Sequence, residues 1–275
     1  VTMLGKDTPS PLLPSDGEAP KQEKAEKGSE GVSVAIDADG IFREFTREEN
    51  YNTGDFTVTG GVPCADYFFK DGVLNIRSPR TTVKIKNTNP NKATTDRIVV
   101  RGSADCNFTL DGVNIEAEDG KPALFIENGI KADVNITLAE DSVNVLAGGS
   151  GCAALDKTGG ESTGKLHING NGALYALGGE SGAGIGSSGK NSTANIYIDG
   201  GCVTAIGGEN AYDIGSGFKG KISALCIEKE ASVKVNNTGC NPYIMKNGQK
   251  ADVALLKIYN PDGKDIYIND GFHYL

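Results

Sequence analysis

The sequence contains no tryptophan, only two methionines and 7% aromatic residues. A core made without large aromatics must be filled by small and β-branched side chains. Six cysteines are present (Cys64, Cys106, Cys152, Cys202, Cys226 and Cys240), but none forms a CxxC pair. That spacing argues against a zinc ribbon or a redox motif. No apolar run reaches the ~18 residues of a membrane span, so membrane insertion is not expected. No signal-peptide pattern is visible, and a mature or trimmed chain would show none. Cations are also scarce. Lys and Arg number 27 against 36 Asp and Glu, giving a net charge of −9. A nucleic-acid surface needs clustered Lys and Arg to displace phosphate counterions, and no such cluster exists.

Glycine, in contrast, is abundant: 38 residues, about 14%, against a usual share of roughly 7%. There is no period of three, so a collagen helix does not explain the excess. An internal repeat does. GGESGAGIGS (178–187) and GGENAYDIGS (207–216) agree at six of ten positions. The same frame recurs upstream at Gly148-Gly149 and, one step earlier, at Glu118 of EDGKPALF. Before each Gly-rich phrase comes a pair of short alternating segments: FTLDGVNIEA, ITLAEDSVNVLA, LHINGNGALYAL, IYIDGGCVTAI and CIEKEASVKV. The alternation puts Val, Ile and Leu on one face of each strand, and DG, NG and DGG supply turns. A third short strand (ALFI, CAAL, GAGI, YDI) follows the Gly-rich bend.

Three strands and three turns in a period of about 30 residues make one coil of a solenoid. One coil cannot bury its apolar face, but stacked coils bury a continuous core. The expected fold is all-β, a single-stranded right-handed parallel β-helix of the pectin-lyase-like type with about 6–8 coils. Residues 1–31 hold four of the ten prolines and the run KQEKAEKGSE, and read as a flexible linker. Residues 32–103 read as an N-terminal cap with the first irregular coils, 104–248 as regular coils, and 249–275 as a capping hairpin. The repeat also serves as a ruler for the cysteines. Cys152 and Cys240 lie three coils apart, roughly 14 Å at the strand spacing, too far to bridge. Cys202 and Cys226 fall in different columns. Mostly buried free thiols are expected, with pairs involving Cys64 or Cys106 left open.

TDRIVV (95–100), NFTLDGVNIEA (107–117), VNITLAEDSVNVL (134–146) and the GAGIGS and GGENAYDIGS phrases resemble a group of modular surface proteins. Those proteins are secreted or wall-attached in gut Gram-positive bacteria, and some relatives are labelled carbohydrate-binding. The resemblance covers roughly 52–270 and is strongest over 95–217. It implies an extracellular or cell-surface β-helix and carries no catalytic motif to transfer.

Several residues suggest chemistry. Glu180 and Glu209 follow Gly-Gly in successive repeats, so their Cα atoms should stack about 5 Å apart. Such a pair suits solvated turn residues, a Ca²⁺ site or a retaining glycosidase. A second polar column runs Asn169, Asp199 and Glu228, with Asp111 and Asp141 at the matching bend of earlier coils. Stacked oxygens there suit Ca²⁺, and Asn and Asp also suit the turns themselves. Tyr175, Tyr197 and Tyr212 lie in neighbouring coils and are candidates for contact with sugar rings or for packing. His167 is expected to replace Thr137 and Tyr197 on an outward position, without a Ser or Cys partner for a triad. A polysaccharide lyase would need a cationic base near its acids. From 104 to 221 the cations are seven lysines (Lys121, Lys131, Lys157, Lys165, Lys190, Lys219 and Lys221), with no Arg. None is in register with the acidic pairs. The glycine runs precede no helix and no Lys-Ser/Thr, so they do not read as phosphate loops.

The function that best fits the sequence is a non-catalytic surface module for glycan binding or adhesion, with a polysaccharide or a host or cell-wall glycan as partner. It requires no cofactor, with Ca²⁺ as a candidate bound ion. The alternatives are a polysaccharide lyase or glycosidase working in a groove along the helix, and a structural spacer without ligand.

Overall fold

The computed structural model describes residues 51–77, 82–218, 220–229 and 231–240. It also describes the strands Val32–Ile36, Phe42–Thr46, Tyr243–Lys246, Gln249–Lys250, Leu256–Tyr259 and Asp265–Ile268. The chain divides into residues 1–31 and 32–275. The linker expected at 1–31 lies outside the described residues.

All described regular structure is β-strand, arranged as a parallel solenoid of about five turns. Each full turn contributes one strand to each of three sheets, and partial turns at the two ends add the remaining strands, so the full turns are fewer than the six to eight coils expected. The first sheet stacks Val73–Arg77, Arg97–Arg101, Leu124–Ile126, Leu155–Asp156, Ile185–Gly186 and Ile214–Gly215. The second stacks Val83–Asn87, Cys106–Leu110, Val134–Leu138, Leu166–Gly170, Ile196–Ile198, Leu225–Glu228 and Tyr243–Lys246. The third stacks Asn114–Glu116, Val143–Ala147, Ala173–Leu177, Cys202–Ile206, Ser232–Lys234 and Leu256–Tyr259.

Parallel pairing brings like residues over one another, one strand spacing apart. On the first sheet Ile98, Leu124, Leu155, Ile185 and Ile214 form a fully buried column. On the second, Phe108, Ile136, Ile168, Ile198 and Ile227 form another. These columns join into one apolar core. A coil removed from the stack would expose its apolar side, so the core belongs to the array rather than to any turn.

Both ends of the ladder change direction. Phe56–Thr59 and Tyr67–Lys70 pair antiparallel with Val83–Asn87 and Val73–Arg77. Gln249–Lys250 and Asp265–Ile268 turn back antiparallel on Tyr243–Lys246 and Leu256–Tyr259. Such terminal strands cover main-chain groups that would otherwise recruit a further strand.

Two buried asparagines brace the coils. The Asn144 Oδ1 accepts from the Gly112 and Val113 amides, both at 3.0 Å, and its Nδ2 donates to Ser142 Oγ and the Ala173 carbonyl. Asn144 is fully buried, so these bonds satisfy its whole amide. Asn87 makes similar bonds to both main-chain groups of Asn114.

All six cysteines are free, including Cys64 and Cys106. Four are buried, Cys240 is half-buried and Cys202 is exposed. The second sheet also corrects two alignments. His167 pairs with Asn135, not Thr137, and Tyr197 follows it. Thr137 and Thr109 continue the Asn169 column, so Asp111 and Asp141 are not in it. The reason is that bends absorb insertions. Val134 pairs with Cys106 on one side and Leu166 on the other, and the chain between the second pair is longer than between the first.

Candidate ligand-binding faces

The outer face of the second sheet gathers three of the expected residues around an unforeseen pair. His167 Nδ1 lies 2.6 Å from Asp199 Oδ2, and both side chains are partly exposed. The Tyr197 ring stacks on His167 at 4.8 Å with 23° between planes. The Lys165 ammonium lies 5.3 Å from the Tyr197 centroid, a cation–π distance. Burial pushes the Tyr197 phenol up, and the Cys226 thiol on the next rung adds to the shift. In the adjoining column Thr137 donates to Asn169 Oδ1 at 2.9 Å. Asp199 and Glu228 follow Asn169 on successive rungs.

This cluster is largely committed to itself. The stack uses one face of the tyrosine against the histidine, and the Asp199 carboxylate is engaged by the imidazole. No Ser or Cys stands within bonding reach of the imidazole among the described hydrogen bonds, so the pair is not a triad. Among the described residues there is no group of three or more His, Cys, Asp or Glu arranged to hold a metal ion.

Glu180 and Glu209 occupy successive coils at the Gly-rich bend. The Gly208 backbone sits on Gly179 and close to the Glu180 Cα, as a Cβ built on Gly208 would find. Both glutamates are exposed to solvent. Tyr212 stands on the same bend as Glu209, 36% exposed, with its main-chain N–H donating to the Ser216 carbonyl. Tyr175 lies on the third sheet, Tyr197 on the second and Tyr212 on the bend between the third and first sheets, so they form no common platform.

The third sheet presents a different surface. Its inward positions are apolar apart from Asn144, and its outward positions are uncharged and, apart from Thr204, apolar too. Val143, Val145 and Ala147 lie on one coil, Ala173, Tyr175 and Leu177 on the next, and Cys202, Thr204 and Ile206 above them. Val143 is 56% exposed, Tyr175 43% and Ile206 40%. No charged residue interrupts this three-by-three grid. Polar groups frame it: Asn114 and Glu116 on the rung below, Ser232 and Lys234 on the rung above. Sequence reasoning missed this face, although VNVLA, ALYAL and CVTAI carry the signal, since their alternate positions are not polar.

From the spacing of strands and residues, the grid covers roughly 200 Å². A specific protein interface buries about 800 Å² on each partner. The face is thus undersized for a stable protein contact and suits a narrow ligand. It is flat, held by a continuous hydrogen-bonded ladder, and centred on one exposed tyrosine.

The molecule belongs, by its fold, to the parallel β-solenoids. Comparison with family models, with curated proteins and with solved structures finds no match.

Proposed function

We propose that the protein is a non-catalytic glycan-binding module displayed outside the cell, with the sugar chain lying on the outer face of the third sheet. The observation that carries this reading is the exposed Tyr175 at the centre of a charge-free apolar grid. A pyranose has an apolar C–H face and a rim of hydroxyls. The first matches a tyrosine surface, which offers large contact area at low entropic cost. The second matches the Asn114, Thr204, Ser232 and Lys234 groups in and around the grid. The sequence resemblance to surface β-helices supports both the ligand class and the extracellular setting. Fold alone would support neither.

A binding role is preferred to a lyase or glycosidase. Glu180 and Glu209 are solvated residues of the Gly-rich bend with no cationic partner in the described ion pairs, and His167 has its carboxylate partner but no nucleophile. The test is a polysaccharide array probed with the intact protein, with each hit assayed for chain cleavage. Retention of a defined glycan class without cleavage supports the proposal. Release of unsaturated or reducing ends would establish an enzyme instead. No retained polysaccharide would leave the structural spacer.

A further inference from the structure

The central column on the outer face of the third sheet differs from its neighbours. Asn114, Val145, Tyr175, Thr204 and Lys234 follow one another on five successive rungs. The flanking columns, from Val143 to Cys202 and from Ala147 to Ile206, offer no hydrogen-bonding group stronger than a thiol. Within the central column the Asn114 amide, the Tyr175 phenol and the Thr204 hydroxyl have no hydrogen-bond partner among the described residues. The main-chain N–H and C=O of Asn114 are held by the Asn87 amide, so its side chain projects from a fixed backbone. Tyr175 is exposed, and Asn114 and Thr204 are half-buried.

Each of these three groups both donates and accepts hydrogen bonds, as a sugar hydroxyl does. They stand in file along the solenoid axis, with Asn114 two rungs below Tyr175 and Thr204 one rung above it. From Asn114 to Lys234 the column spans roughly 19 Å at the strand spacing. An extended chain of pyranoses advances by about 5 Å per sugar, close to that same spacing. About four sugars therefore fill the column. Laid along the strand instead, the chain would cross Ala173 and Leu177 and leave hydroxyls unpaired against apolar side chains.

We propose that the grid selects an unbranched, uncharged polysaccharide whose chain runs along the solenoid axis, with Tyr175 under an inner sugar and Asn114 and Thr204 bonded to hydroxyls on either side of it. The inference rests on the glycan-binding reading and gives it a direction, a length and a ligand class. A branch leaving sideways would meet Val143 or Ile206, both exposed and apolar, and find no polar partner there. A chain of sugar acids needs a cation for each carboxylate, and the column holds one, Lys234, at its end. Tyr175 supplies the contact area, while Asn114 and Thr204 set the direction of the chain.

The experiment is calorimetric titration of the intact protein with β-1,4-linked oligomers of glucose, xylose and mannose, from disaccharide to hexasaccharide. A linear galacturonate oligomer and a branched sialylated glycan serve as the charged and branched comparisons. At least one neutral series should bind, with affinity rising about tenfold or more from disaccharide to tetrasaccharide and levelling off beyond. That length dependence is read on the wild type and does not depend on the folding of any variant. Asn114→Ala should weaken the hexasaccharide about fivefold and leave the disaccharide unchanged, whereas Leu177→Ala, beside Tyr175 along the strand, should change little. Affinity independent of length, binding of the galacturonate or the branched glycan alone, or a larger loss for Leu177→Ala than for Asn114→Ala would overturn the inference and leave the glycan-binding reading standing. Binding of no glycan at all would overturn both.

Discussion

Gly208 lies directly over Gly179, so close that a Cβ on Gly208 would overlap the Gly179 carbonyl oxygen. The Gly-Gly phrase is therefore a steric requirement of stacking, repeated where three successive coils leave the third sheet. Gly208→Ala must push two coils apart, and we expect it to cost upwards of about 3 kcal/mol. Gly112, at φ +85°, has open space where its Cβ would be. Gly112→Ala meets only the backbone penalty of a left-handed residue, about 1–2 kcal/mol. Chemical denaturation of both variants checks the order, and equal losses would contradict it.

Asn144 joins its own coil to the ones on either side through the amides of Gly112 and Val113 and the carbonyl of Ala173. Asn144→Leu leaves one buried and two part-buried main-chain groups without their partner. The expected loss is about 2–4 kcal/mol, with slower-exchanging amides at 112 and 113 becoming fast by hydrogen exchange. Protection unchanged at those two amides would show that the bracing is not needed.

The solenoid itself was legible because a stacked fold writes its period into the chain. Gly148, Gly178 and Gly207 recur at nearly fixed intervals, and Val, Ile and Leu alternate between them. The His167–Asp199 pair was not legible. It depends on the register of the second sheet, where one bend is short and the next long, so a fixed repeat aligned His167 with Thr137 rather than Asn135. Tyr175 was visible as an aromatic residue, but its apolar surroundings come from three successive coils side by side. Asn144 was not legible either: it is a polar residue that points inward, and only its hydrogen bonds to neighbouring coils make that burial tolerable.

Lys157 gives a pH dependence of defined sign. Burial lowers its pKa from 10.5 to about 8. Below about pH 8 both folded and unfolded chains carry the proton, and the folded state bears the cost of the buried charge. Between about pH 8 and 10.5 the unfolded chain binds a proton that the folded one has released, so this group's contribution to stability rises with pH. The thiols of Cys152 and Cys240, pushed up by burial, act in the opposite direction in alkali. The difference between wild type and Lys157→Met isolates the lysine. The variant should be more stable at neutral pH by at most about 3 kcal/mol, with the gap closing toward about pH 10. A gap independent of pH would contradict the assignment.

Cys202 is the one exposed thiol among the six and lies on the proposed glycan face, directly above Ala173. The native protein should therefore show a single fast-reacting thiol with an aromatic disulfide reagent, lost in Cys202→Ser. A bound glycan should slow that reaction by covering the face. Fast labelling unaffected by a saturating glycan would place the ligand on another wall.

The most direct test of the glycan-binding account is calorimetric titration of the tightest array ligand into wild type and Tyr175→Ala, with Tyr212→Ala, at the Gly-rich bend outside the grid, as the control. Tyr175 is exposed, so its truncation should leave the melting temperature nearly unchanged. The account predicts at least a tenfold loss of affinity, about 1.4 kcal/mol, for Tyr175→Ala and little change for Tyr212→Ala. Equal affinity for wild type and Tyr175→Ala would contradict it.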